Sequence, residues 1–292
     1  MKSARPASFS AKTLNVKGKL VDLSSPVVMG ILNVTPDSFF ASSRLATETE
    51  ILKQAEKMLL EGAAFLDVGG YSSRPGAADI PVEEELERIV KGIRVIVKEF
   101  PSAILSIDTF RAEVARQGVL EGAGIINDIS AGELDHAMFD TIAELKVPYI
   151  AMHMRGTPQT MKELTQYSNI VKEMVDYFLD KINRLKVLGV HDVIIDPGFG
   201  FAKTNDQNFE VLAHLYHLRH LDKPILAGLS RKSMIWKTLD ITADEALNGT
   251  TALNMTALMK GANILRVHDV KEAVQAVKLA SNVYPTTDNI RF

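Results

Sequence analysis

Several side chains in this sequence carry chemistry that packing alone does not ask for. Asp108, Asn127 and Asp196 each fall at the end of a short apolar run. Together they offer two acceptor carboxylates and one carboxamide that both donates and accepts. That set suits a flat heterocycle with an amino group, ring N–H groups and a carbonyl. A cleft of this kind discriminates strongly, because a missing partner leaves a buried polar group unpaired. Arg74, Arg266 and His268 supply cationic or donor groups, with Lys232 beside them in the set. Arginine is suited to bidentate phosphate recognition. These residues with Asn33 could hold a diphosphate and Mg²⁺, an ion that takes few protein oxygens and keeps several waters. The bland alternatives are helix caps and turns for a lone Asp or Asn, and surface salt bridges for Asp108 and Asp196. Several such residues at strand ends are harder to dismiss. No second His pairs with His268 at ligand spacing, which argues against zinc. His153 lies on another strand and reads as a packing or orienting residue.

Two loops join this set. Thr35-Pro36-Asp37-Ser38-Phe39 and Ser72-Ser73-Arg74-Pro75-Gly76 carry Pro and Gly at spacings that break helices and strands. Long loops over a site often act as lids. Neither loop has Walker A spacing, so a phosphate-binding P-loop is excluded. Gly198 and Gly200 flank Phe199 and allow close backbone approach. Phe201 could stack over a flat substrate or serve as ordinary packing.

These residues need a scaffold, and the hydrophobic pattern describes one. Eight apolar, β-branched runs occupy 27–34, 64–70, 103–109, 124–130, 148–154, 192–198, 224–230 and 263–269. Runs of this length suit parallel strands buried on both faces. Helical patterns lie between them at 47–62, 81–100, 111–122, 135–146, 169–188, 207–221, 243–260 and 270–282. In 169–188, Ile170, Met174, Phe178, Ile182 and Leu185 form one stripe. The segment 81–100 opens with Pro81 and then Glu83, Glu84 and Glu85, a helix-start signal. Eight strand–helix units predict an α/β fold, a closed (β/α)₈ barrel. No G-x-G-x-x-G opens the first unit, which disfavours an open doubly wound sheet. TLNV and KLVDL, joined by Lys17-Gly18, predict a hairpin plugging the N-terminal end. No Pro/Ser-rich linker divides the chain, so a single domain is expected over 1–292, with the barrel at about 26–282.

Composition agrees. The 292 residues are 46% apolar and 24% charged, as in globular proteins, with a net charge of −3 from 33 basic and 36 acidic residues. A broad nucleic-acid-binding surface is disfavoured; a local basic pocket is not. There is no cysteine, which excludes disulfides, thiolate metal sites and Cys nucleophiles. No apolar run approaches the roughly 20 residues of a membrane span, and the opening segment lacks an apolar signal core, so a cytoplasmic location is the expectation.

In order along the chain stand GILNVTPDSF (30–39), DVGGYSSRPGA (67–77), SIDT (106–109), NDIS (127–130), MHMRGTPQTM (152–161), DPGFGFAKT (196–204), LSRKS (229–233) and RVHD (266–269). This series resembles the dihydropteroate synthase family over about residues 27–282. The resemblance implies an enzyme of folate biosynthesis that joins 6-hydroxymethyl-7,8-dihydropterin diphosphate to 4-aminobenzoate. It implies that Asp108, Asn127, Asp196, Lys232, Met152 and Gly228 hold the pterin. Asn33, Arg74, Arg266 and His268 would handle the diphosphate and Mg²⁺, with Asn33 as the metal's protein ligand. Phe39, Ser73, Pro75, Phe201, Lys232 and Ser233 would line the aminobenzoate site. It also implies a homodimer through the late helices, with Ile235, Trp236, Leu239, Leu247, Met255 and Met259 as apolar surface; these side chains could equally face the barrel. Three positions depart from the family pattern. Phe40-Ala41-Ser42-Ser43-Arg44 replaces a short Asp-Gly-Gly stretch, Tyr71 stands where an acid is common, and Ser73 where threonine is common. The alternatives are a pterin-binding methyltransferase domain and a pterin-binding paralogue without turnover. LSRKS, RVHD and SSRPG argue against the methyltransferase, which has no diphosphate to hold. The presence of Arg74, Lys232, Arg266 and His268 argues against the paralogue.

Overall fold

The computed structural model describes residues 13–34, 48–72 and 79–283. The described chain opens with the expected hairpin: β1 (Thr13–Val16) and β2 (Lys19–Asp22) pair antiparallel. At the turn, Lys17 and Gly18 have φ of 53° and 85°. Both central residues of such a tight hairpin turn take positive φ, which glycine accepts without strain.

Among the described residues, eight parallel strands follow. They are β3 (Val27–Asn33), β4 (Phe65–Gly69), β5 (Leu105–Asp108), β6 (Ile125–Asp128), β7 (Tyr149–Met152), β8 (Val193–Asp196), β9 (Leu226–Ala227) and β10 (Ile264–Val267). Pairing runs in the order β8-β7-β6-β5-β4-β3-β10-β9. A parallel bridge between Ile195 and Ile225 joins the two ends into a ring. The barrel is the one the eight apolar runs predict.

The helices are α1 (Glu48–Leu60), α2 (Val82–Glu99), α3 (Ala112–Leu120), α4 (Met138–Leu145), α5 (Ile170–Val187), α6 (Asn205–Ala213), α7 (Ser233–Leu239), α8 (Leu247–Met259) and α9 (Val270–Val283). In α2 the three glutamates occupy the first turn and Lys98 the last, matching the helix dipole. Asn169 caps α5 by accepting from the Lys172 N–H at 2.9 Å. Thr204 and Gln207 form a capping box at α6.

The predicted helix over 207–221 is corrected. It ends at Ala213 and continues as a 3₁₀ helix over Leu215–Leu221. Leu215, Leu218 and Leu221 are the buried residues of that segment. Their spacing of three matches a helix with three residues per turn, so one eclipsed row faces the core. Helix α7 lies outside the predicted segments; at seven residues it is too short to show a period.

Side-chain alternation along each strand decides what faces inward. Met29, Phe65, Ile125, Ile150, Ile194, Leu226 and Ile264 form one buried cluster with Leu14, Val16 and Leu23. This is the floor of the barrel, sealed by the hairpin as expected. Counting on by two from these residues along each strand reaches Asn33, Gly69, Asn127, Met152, Asp196, Gly228, Arg266 and His268. Asp108, two beyond the buried Ser106, completes the layer on β5. Outward strand residues such as Leu66, Val68, Ile107 and Ile195 join the surrounding helices in the main core.

Candidate active site

The polar layer begins with an ion cluster below the rim. Asp67, in β4, is fully buried. Its Oδ2 accepts from Arg266 Nε at 2.6 Å and from Asn127 Nδ2 at 2.9 Å. Asp67 Oδ1 has no hydrogen-bond partner among the described residues. Arg266 also donates through Nη2 to Asp108 Oδ2. One guanidinium therefore joins carboxylates from β4 and β5. Burial pushes the Asp108 carboxyl up to about 7, against the pull of Arg266 and with the repulsion of Asp67. The same two carboxylates hold Arg266 firmly protonated in spite of its burial.

Across the barrel, Asp196 Oδ1 accepts from the Gly198 N–H at 2.8 Å. Burial raises the Asp196 carboxyl, and Lys232 opposes that rise. Lys232 immediately precedes α7 and donates from Nζ to the Phe199 carbonyl. Burial lowers its ammonium to about 8, which the nearby Asp196 partly offsets. A β-carbon placed on Gly228 would come 3.9 Å from both Asp196 Oδ2 and Lys232 Nζ. Glycine thus leaves the gap between these two charges open on one side. Lys232 Nζ also lies 4.9 Å from the centre of the Phe201 ring, a cation–π distance.

Between Asn127 on β6 and Asp196 on β8, the lining from β7 is apolar. Met152 is buried with Ile129, Met154, Met161 and Ala202, and Phe201 packs partly against them. At the last strand, Ser230 Oγ meets His268 Nδ1 at 3.0 Å. Arg231 carries its φ at 54° and grips Asp269 with two bonds of 2.9 Å. This clamp ties the loop carrying Lys232 to the loop carrying His268. Asn33 ends β3, and its Oδ1 lies 3.3 Å from a β-carbon built on Gly69, with Asp108 Oδ2 3.8 Å from the same point. Polar acceptors and donors from β5, β6, β8 and β10 thus ring one end of the barrel, with Met152 between Asn127 and Asp196, and with Arg266, His268 and Asn33 on the neighbouring strand lines of β10 and β3. This fits a flat, hydrogen-bonding ring carrying an anionic tail.

Residues 29–268 match the family described as pterin binding enzymes. The dihydropteroate synthase of Escherichia coli K12 is 41% identical over 281 residues, spanning 96% of this chain and 99% of that one. The chain belongs to the dihydropteroate synthase family. Two solved dihydropteroate synthases share its fold. That of Yersinia pestis, in a sulfonamide drug complex, superposes with a TM-score of 0.88 at 38% identity, over 93% of this chain and 98% of that one. That of Xanthomonas albilineans, with 4-aminobenzoic acid, gives 0.88 at 38% identity over 94% and 99%.

For a dihydropteroate synthase, the strand-end residues singled out in the sequence fall together: Asn33, Asp108, Asn127, Met152, Asp196, Gly228, Arg266 and His268 share the upper barrel layer. Lys232 and Phe201 reach it from loops, and Ser233 opens α7 beside Lys232. Phe39, Ser73, Arg74, Pro75 and the departing stretch Phe40–Arg44 lie outside the described residues. Asp108 and Asp196 are not surface salt bridges; the first joins the buried ion cluster and the second faces Lys232. His153, read as a packing or orienting residue, is buried and packs with its ring centre 4.9 Å from that of Tyr177. Tyr71 is nearly buried, edge-on to Phe110 at 5.2 Å, with the Arg111 guanidinium 5.3 Å from its ring.

The sequence reading assigned no role to Asp67 or Lys203. Asp67 could have been flagged as an inward carboxylate within an apolar strand, needing a cation at the same depth. Lys203 had no such signal, because a lysine in a loop reads as solvated. It is nevertheless buried, and its Nζ lies 3.0 Å from His153 Nδ1, from the Gly198 carbonyl and from the Phe201 carbonyl.

Proposed function

We propose that the chain condenses 6-hydroxymethyl-7,8-dihydropterin diphosphate with 4-aminobenzoate, releasing diphosphate and forming 7,8-dihydropteroate. As a member of the dihydropteroate synthase family it is an enzyme of folate biosynthesis. One observation carries the substrate assignment: Asp108, Asn127, Asp196 and Lys232 converge on one cleft beside Arg266 and His268. Asp196 accepts from the amino and ring N–H groups of the pterin, and Lys232 donates to its carbonyl. Asn127 is held by Asp67, so its carboxamide orientation is fixed before the ligand arrives. Met152 and Gly228 contact the pterin ring.

Reaction begins with cleavage of the bond between the methylene carbon and the diphosphate oxygen. The electron pair leaves with diphosphate, and the positive charge spreads into the dihydropterin. Asp108, ionised beside Arg266, stabilises that cation electrostatically. Arg266 and His268 receive the growing negative charge on the leaving group. The neutral amine of 4-aminobenzoate, seated against Phe201 and Ser233, then attacks the methylene with its lone pair, forming the C–N bond, and releases its extra proton to water. No protein nucleophile is required, in keeping with the absence of cysteine.

A magnesium ion fits this donor set. Among the described residues, no three His, Cys, Asp or Glu side chains gather as a metal cage. Asn33 offers one amide oxygen at the rim, so most ligands would be diphosphate oxygens and water, as Mg²⁺ prefers. When bound there, the ion would neutralise the leaving diphosphate.

The proposal extends to a homodimer in the cytoplasm. Leu239 and Met259 expose 52% and 39% of their surface on α7 and α8. Ile235, expected on that surface, is only 3% exposed and belongs to the core. No described helix is long and apolar enough to cross a membrane.

The deciding experiment follows diphosphate and dihydropteroate together, with Mg²⁺ and the pterin diphosphate, with and without 4-aminobenzoate. Equal amounts of both products, dependent on the amine, are expected. Tight pterin binding without diphosphate release would identify the paralogue instead. Sulfonamides are expected to raise KM for 4-aminobenzoate and leave kcat unchanged.

A further inference from the structure

Lys203 is a buried lysine that the proposed mechanism does not use; burial lowers its ammonium to about 7, which Asp196 partly offsets. It follows the Gly198–Ala202 loop and turns back beneath it. Its ammonium has three N–H donors, and three acceptors stand 3.0 Å away: His153 Nδ1 and the carbonyls of Gly198 and Phe201. The His153 carbonyl lies at 3.5 Å. The ring of His153 can accept, because burial and the neighbouring lysine hold its pKa down to about 2. The gathered loop turns tightly, through left-handed backbone that glycine accepts without strain and Ala202 does not. Gly198, Gly200 and Ala202 have φ of 66°, 83° and 47°. A β-carbon on Gly198 would collide with the His153 carbonyl, so the loop lies directly on β7's end. The Tyr167 hydroxyl adds a 2.9 Å tether to the Ala202 carbonyl.

The upper face of the same loop carries the parts that meet substrate. The Phe199 carbonyl receives Lys232 Nζ, and the Phe201 ring stands beside that ammonium. We propose that Lys203 is the positioning residue for the aminobenzoate half of the site: by gathering the Gly198 and Phe201 carbonyls onto His153, it sets where the Phe201 ring stands. This rests on the function proposed above. The pterin half is less dependent on Lys203, because Asn127 and Arg266 are held by Asp67 and Arg266 in turn holds Asp108, none of them through the Gly198–Ala202 loop.

The test is steady-state kinetics on the full chain with both substrates varied, for wild type and Lys203→Met, which keeps the stem and removes the ammonium. KM for 4-aminobenzoate should rise about tenfold or more, while kcat and KM for the pterin diphosphate stay within about threefold. If Lys203→Met does not fold, His153→Phe removes the acceptor and keeps a ring against Tyr177; the same split is expected. An unchanged KM for 4-aminobenzoate in a folded variant overturns the inference. So does an equal loss in kcat and both KM values, which marks a general structural role. A wild-type chain that forms no dihydropteroate overturns the proposed function itself.

Discussion

At the residue scale, the central arrangement is one guanidinium between two carboxylates. Arg266 faces Asp67 and Asp108, and only Asp108 stands at the rim where a substrate cation would form. Asp108→Ala should lower kcat about 100- to 1,000-fold, as loss of a preorganised charge does elsewhere. Arg266 keeps Asp67 in that variant, so calorimetry should show a much smaller effect on the fold. Equal loss of turnover and stability would remove Asp108 from the mechanism. Asp67 behaves differently. Asp67→Ala strands Arg266 and loosens Asn127, and should cost about 3 kcal/mol or more in urea unfolding, as breaking a buried ion pair does. A pH profile tests the charges directly. In the proposed mechanism Asp108 must be ionised, so activity should fall as pH drops through about 7. Lys232 must be protonated, so activity falls as pH rises through about 8. A narrow optimum in kcat/KM for the pterin diphosphate is therefore expected between these two pKa values. A flat profile across that range would contradict both assignments.

At the scale of elements, strands were easier to read than helices, for a physical reason. Each strand is a continuous apolar run buried on both faces, and its polar end marks the site. Thus Asp108, Asn127 and Asp196 could be found without coordinates. Helical period was less informative. The run from His214 to Leu221 follows a period of three, which is easily taken for α-helix over so short a segment. In α5 the core stripe includes Lys181, which pairs with Glu133 and lies 5.3 Å from the Tyr177 ring centre. Lys203 escaped the sequence reading for a similar reason: its ammonium is satisfied by carbonyls, and a carbonyl leaves no trace in side-chain composition. The capping box at α6 ends the loop that Lys203 anchors. Thr204→Ala should cost about 1 kcal/mol in urea unfolding, with a small rise in KM for 4-aminobenzoate. A change in kcat alone would argue against that coupling.

At the scale of the whole molecule, stability and chemistry occupy opposite ends of the barrel. The hairpin contributes Leu14, Val16 and Leu23 to the apolar floor, while the charged layer lies at the strands' C-terminal ends. Leu14→Ala should destabilise by about 2–5 kcal/mol, the usual cost of emptying a buried leucine site. Below its melting temperature the variant should turn over at the wild-type rate. A matching loss of kcat in folded protein would show that the floor and the site are coupled.

The ring of strands also has a weak stave. β9 is two residues long, and its link to β8 is a single bridge at Ile195 and Ile225. Asp196 stands just above that bridge on one side, Gly228 and Lys232 on the other. A pterin touching Asp196 and Lys232 would act as a stitch across the seam. Its binding would then be felt below the site, as slower hydrogen exchange at the amides of Ile195 and Ile225. The same ligand that is to be consumed would, while it stays, lock the barrel around itself.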